Sequence, residues 1–117
     1  MAKVLDRRER ALANIQSALA LSQEELARAL GVSHRSVARW LGGEVERVGE
    51  AHLQTIQAIE ALLEEACKAL RPDKVAMWFR SPHPTLADLR PLDVLSSRTG
   101  QERVKALLGG IRWGLPV

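Results

Sequence analysis

Cysteine occurs once in this chain of 117 residues, phenylalanine once, proline five times and tyrosine not at all. A single thiol, Cys67, leaves no intramolecular disulfide to staple the fold and points to a reducing compartment. No apolar run approaches the roughly 20 residues that a membrane-spanning helix needs. The N-terminal M-A-K-V-L-D-R-R-E-R also lacks the apolar stretch of a signal peptide. These absences predict a cytoplasmic protein with no membrane partner. The scarcity of aromatic residues and proline, beside plentiful Ala and Leu, predicts an all-α chain. Reactive constellations are missing too. His34, His52 and His83 lie far apart without a second ligand at helical or zinc-finger spacing, so no metal is expected. No nucleophile elbow, glycine-rich phosphate loop after a strand or Cys-His pair occurs, so neither an enzyme nor a cofactor is expected.

What is present suits a soluble helical protein with a real core, at 46% hydrophobic and 26% charged residues. A formal charge of +3 fits a polyanionic partner without establishing one. The charge is unevenly spread: residues 50–65 hold four glutamates and neither Lys nor Arg, and the flanking segments hold most of the basic residues.

Residues 23–41, Q-E-E-L-A-R-A-L-G-V-S-H-R-S-V-A-R-W-L, carry the clearest pattern. Leu26, Ala27 and Leu30, then Val37, Trp40 and Leu41, mark two short amphipathic helices whose apolar faces meet only if the chain turns sharply at Gly31. Ala27 is small where the helices cross. Ser22 with Glu25 forms a capping box for the first helix, and Ser33 can cap the second. This is a helix-turn-helix pattern, which places its second helix in the DNA major groove. Ser33, His34, Arg35, Ser36 and Arg39 then face outward, all able to donate hydrogen bonds and none acidic. Arg35 and Arg39 are shaped to fork onto guanine, and Gln23 at the first helix's N-terminus is placed for a phosphate. The competing view is a helical hairpin with a solvated polar face.

Elsewhere, Asp6 and Glu9 form a capping box for a helix with Leu12, Ile15, Ala18 and Leu19 inward. Gly42-Gly43 ends the recognition helix, residues 44–48 form a loop, and a long helix spans about 49–70. Its apolar residues Leu53, Ile56, Ile59, Ala61, Leu63 and Ala66 fall on several faces, which suits a connector with part of its surface used for dimerisation. Cys67, among Leu62, Leu63, Ala66 and Leu70, is expected to be buried and inert. A short helix follows from Pro72 to Phe79, then a proline-broken loop, one helical turn at 86–89, and another short helix from Pro91. Thr99 with Glu102 is expected to cap the last helix, whose inward face is Val104, Leu107, Leu108 and Ile111. Gly109-Gly110 weakens its end.

Residues 12–44 resemble the helix-turn-helix of Xre-type repressors, the Cro/C1-like class. The string S-x-R-S-V-A-R-W, Ser33 to Trp40, is more narrowly similar to the Xre/MbcA/ParS antitoxins. Trp78-Phe79-x-Ser81-Pro82-x-Pro84-x-Leu86, then Pro91-Leu92-x-x-Leu95, then a capped helix ending Ile111-x-x-Gly114, resembles the toxin-binding domain of that family. Two departures stand out: the family usually has Asn at the place of His83, and commonly a glycine in the loop that here reads Ala87-Asp88-Leu89-Arg90.

The resemblance implies an N-terminal DNA-binding lobe (1–48), a connecting and dimerisation helix (49–70) and a C-terminal toxin-binding lobe (71–117). It implies a RES-type, NAD-consuming toxin as partner, its active-site cleft blocked by Arg112, Trp113, Gly114, Leu115, Pro116 and Val117. It also implies repression of the pair's own operon through operator double-stranded DNA, by a homodimer or a larger toxin–antitoxin hetero-oligomer. From the residues alone, Trp113 and Leu115 are either exposed for a partner or tucked against Trp78 and Phe79, whereas Trp78 and Phe79 belong to the core. The alternative function is a stand-alone repressor whose second lobe only dimerises or senses a ligand.

Overall fold

A computed structural model describes residues 7–44 and 48–114 of the chain. Among these the architecture is all-helical: α1 (Arg7–Ala18), α2 (Gln23–Leu30), α3 (His34–Leu41), α4 (Glu50–Ala69), α5 (Val75–Phe79) and α6 (Arg98–Arg112). Three 3-10 turns, each opened by a proline, link the later helices: Pro72–Lys74, Pro84–Leu86 and Pro91–Val94. Proline suits these starts because its fixed φ matches a first helical position whose N–H would be orphaned anyway.

The start of the chain shows how local sequence sets the path. The expected Asp6 cap lies outside the described residues. α1 buries Ala11, Leu12 and Ile15, with Leu19 just beyond its end; Ala18, expected to face inward, is exposed. It precedes Leu19 by one position, about 100° of rotation, and here that step carries it past the edge of the buried face. Ala20 closes the helix in the left-handed region at φ 53°, with Ala20 N–H donating to Ser17 O and Leu21 N–H to Gln16 O.

Ser22 caps α2 in both directions. Its hydroxyl accepts from Glu25 N at 3.1 Å, and Glu25 Oε1 accepts from Ser22 N at 3.1 Å. Such a cap is worth about 1 kcal/mol. Gly31 then takes φ 72°, and Val32 N–H returns to Ala27 O to close the turn. A Cβ at Gly31 would also lie 3.2 Å from Ser96 Cβ. α3 begins on the Ser33 cap and buries Val37 and Trp40; Leu41 is half-buried against the same core.

α4 is the spine. It packs against α1 and α2 on one side and α5 and α6 on the other, which is why its apolar residues occupy several faces. Ile56, Ile59, Leu62, Leu63 and Ala66 are buried, whereas Ala61, on another face, is exposed. Cys67 is exposed as well, contrary to the expectation from its apolar neighbours. It follows Ala66 directly, and that single step turns it from the core to solvent. One continuous apolar cluster runs from Ala11 and Leu12 through Trp40, Ile56 and Phe79 to Leu95, Val104 and Leu108.

The last helix departs most from expectation. Its cap is Ser97, whose hydroxyl accepts from Gly100 N at 3.0 Å, rather than Thr99. Gly100 explains the placement. A Cβ there would fall 1.9 Å from Val94 O and 2.7 Å from Val94 Cβ, so only glycine lets the first turn of α6 seat on the preceding 3-10 turn. Val104, Leu107 and Leu108 are buried and Ile111 is half-buried. Gly109 and Gly110 lie inside the helix, which continues to Arg112, instead of ending it. The two glycine sites should respond oppositely to one substitution. Gly100→Ala is expected to cost about 3 kcal/mol or more, because backbone must shift. Gly109→Ala, whose Cβ meets nothing within 4 Å, should gain about 0.5–1 kcal/mol from helix propensity. Urea unfolding of both variants checks the pair.

Candidate DNA and partner surfaces

The outward face of α2 and α3 brings the sequence-selected residues together, but several are already engaged with one another. Gln23, the first residue of α2, is exposed, and its Oε1 lies 3.3 Å from Nε2 of His34, the first residue of α3. The two helix starts are therefore neighbours on one face, the placement that a shared approach to phosphate and groove needs. Ser33 and Ser36 are occupied at the cap: Ser33 Oγ accepts from Ser36 N at 3.1 Å, and the two hydroxyls sit 3.0 Å apart. Arg39 Nε donates to Glu44 Oε2 at 3.1 Å. Arg35 is exposed and makes no ion pair or hydrogen bond among the described residues.

The second candidate surface comprises α5 with the proline loops, and separately the end of α6 beside α4. Phe79 is fully buried, and Trp78 lies edge-on to it at 5.1 Å, half-buried, with the His83 ring 4.9 Å away on Trp78. His83 Nε2 is buried without a hydrogen-bond partner among the described residues, so the ring serves as a flat packing face and does not cap the turn. The expected helical turn at 86–89 is instead the 3-10 turn Pro84–Leu86, followed by Ala87 at φ 57° and Asp88 at φ 64°. Two left-handed residues bring Leu89 back to bridge His83, with His83 N–H donating to Leu89 O at 3.1 Å. A glycine would hold this conformation without a Cβ penalty. That is the physical content of the glycine missing from this loop.

Arg112 ends α6, 3.9 Å from Glu65 on α4, with its guanidinium 5.1 Å above the Trp113 ring. Trp113 is 71% exposed and so does not tuck against Trp78 and Phe79. Gly114 turns the backbone at φ 72°. Leu115, Pro116 and Val117 lie outside the described residues. Among the other histidines, His52 stacks on Trp40 at 5.7 Å, which fastens α3 to α4.

The contacts that join the two surfaces were not visible in the sequence. Arg80, one residue past α5, donates Nη2 to Glu25 Oε2 at 2.8 Å and Nη1 to Ala20 O at 3.4 Å. Arg90 forks onto Asp93, Nε to Oδ2 at 3.0 Å and Nη2 to Oδ1 at 2.8 Å, and its backbone N–H donates to the same carboxylate. The Arg80 hydrogen bond, aided by the Ser22 backbone, holds the Glu25 carboxyl below its ordinary value. The Arg90 side chain does the same for Asp93, with a further pull from Arg28 on α2. Asp93, three residues after Arg90 and two after Pro91, was the one local signal available.

Both carboxyls are depressed on folding, so the stability they carry is complete above about pH 5 and fades as pH falls below about 4, the range in which they titrate when unfolded. A Glu25→Gln/Asp93→Asn variant should therefore lose less melting temperature than the wild type between pH 5 and pH 3; parallel melting curves would refute the assignment. Ala87→Gly, which relieves left-handed strain, is expected to stabilise by up to about 1 kcal/mol in the same assay.

Known proteins share much of this sequence and fold. The family described as "Antitoxin Xre/MbcA/ParS C-terminal toxin-binding domain" matches residues 56–114. The chain is 32% identical over 100 residues to the mycobacterial cidal antitoxin MbcA of Mycobacterium tuberculosis, covering 83% of this chain and 84% of that one. The MbcA of Mycobacterium bovis matches to the same extent. In three dimensions the chain resembles one from the crystal structure of the M. tuberculosis MbcT-MbcA toxin-antitoxin complex, with TM-score 0.73 and 24% identity. That likeness of fold spans 97% of this chain and 100% of the other.

Proposed function

The chain belongs to the Xre/MbcA/ParS family of antitoxins, and from that premise we propose that it neutralises a RES-type, NAD-consuming toxin with its C-terminal segment and represses its own operon through α2 and α3. The observation that carries the first half is the tip of α6. A tryptophan that is 71% exposed, overlaid by an arginine, is an unusual outlay of apolar surface on a free chain. Trp and Arg are also the residue types that dominate interface hot spots. Glu65 on α4 lies 3.9 Å from Arg112, so the pair is presented at the helix end with a partner from the spine helix, and Gly114 takes φ 72° directly after it. Such a tip fits a cleft in a partner protein, where it would exclude substrate.

The second half rests on the closeness of the α2 and α3 starts, Gln23 against His34, and on the donor-rich face they carry. A homodimer, or a larger hetero-oligomer with the toxin, would set two recognition helices about one DNA turn apart. Among the described residues no helix is long and apolar enough to cross a membrane.

The two activities should separate by mutation. Co-expressed with the product of the adjoining reading frame, the wild-type chain should lift that product's toxicity and co-purify with it. Trp113→Ala should weaken this complex by roughly 2 kcal/mol or more and leave operator binding unchanged. Arg35→Ala should cost roughly 1–3 kcal/mol in operator binding and leave neutralisation intact. Failure to recover any toxic partner, or full neutralisation by a chain truncated after Arg112, would overturn the antitoxin half.

A further inference from the structure

We infer that Glu44 is a positioning residue for sequence readout, holding the Arg39 guanidinium in place so that its two Nη groups are presented to one guanine in the major groove. The inference deepens the DNA-binding half of the proposed function and rests on it. A carboxylate on the rim of a DNA-facing surface is otherwise a liability, since it repels phosphate. Here it is built into the end of the recognition helix. Gly43 takes φ 108°, Gly43 N–H donates to Trp40 O, and Glu44 N–H donates to Arg39 O at 3.0 Å. The backbone that stops α3 thus fixes Glu44 to Arg39 from the main chain, and the side chains close a second link, Nε to Oε2 at 3.1 Å.

The choice of nitrogen matters. With Nε engaged, the end-on edge of the guanidinium, Nη1 and Nη2, has no other partner among the described residues. That edge is a fork of the right geometry for guanine O6 and N7. Arg39 is a flexible side chain, 43% exposed, whose freedom would otherwise be lost on binding; holding it beforehand favours the bound geometry. Arg35 lies one turn earlier on the same face without such a partner. The two arginines therefore differ in kind: Arg39 is preset, and Arg35 is free to reach a phosphate or a second base.

The test uses full-length protein and a duplex selected by the wild type from a randomised library, with each guanine in turn replaced by a deaza analogue lacking N7. Arg39→Ala should lose about tenfold or more in affinity and become indifferent to the analogue at one guanine. Glu44→Ala should lose several-fold, become indifferent at that same guanine, and add nothing to Arg39→Ala in the double variant. Glu44→Gln, which keeps the shape and a neutral acceptor, should fall between. Unchanged melting temperatures separate these effects from folding. Tighter binding by Glu44→Ala with a steeper salt dependence would overturn the inference, because the carboxylate would then only oppose phosphate; additive losses would overturn it as well. If the wild type selects no duplex at all, the DNA-binding reading fails and takes this inference with it.

Discussion

The contact between Arg80 and Glu25 is the joint on which the molecule turns. Glu25 serves two masters: one carboxylate oxygen completes the cap of α2, and the other receives Arg80 from 55 residues away. Arg80 also reaches the carbonyl of Ala20, at the strained corner between α1 and α2. A lone exposed ion pair contributes little. This one is partly shielded and shares its atoms with a helix cap and a chain reversal, so breaking it would disturb three features together. Beneath it the contact is apolar. Leu92 and Leu95 are buried beside α2, and Gly31 stands against Ser96, where a Cβ would make a tight 3.2 Å contact. Helices α2 and α3 and the proline-rich loops are thus held in a common frame.

That frame explains what was legible in the sequence. Signals that close within four residues were read correctly: the Ser22–Glu25 box, the turn at Gly31, the Ser33 cap and the inward set Val37 and Trp40. Each depends on a hydrogen bond or helix face that its own neighbours determine. Misreadings arose where two residues competed for one role. Ser97 and Thr99 can both cap a helix, and the winner was decided by how tightly Gly100 must approach Val94. Ala18 against Leu19, and Ala66 against Cys67, are adjacent pairs of which the core takes one. Arg80 lay beyond reach, because an arginine after a short helix carries no mark of its partner.

The outward face of α2 and α3 teaches a related lesson. Six polar residues were legible as a group, yet the fold does not leave them equivalent. Ser33 and Ser36 maintain the helix start, Gln23 and His34 brace each other, and Arg39 is held by Glu44. Facing outward is a matter of helical phase and can be read from spacing. Being unengaged depends on what lies across a turn, and Glu44 belonged to a stretch that looked like featureless loop.

The solvent-facing thiol of Cys67 has a practical corollary for anyone weighing this protein's assembly state. As the chain's only cysteine, it can link two copies covalently in air, and the product would run as a dimer whatever the native contacts are. Hydrodynamic measurements therefore belong in reductant. The same chemistry offers a maleimide dye a unique attachment point on the spine helix, without any engineered cysteine.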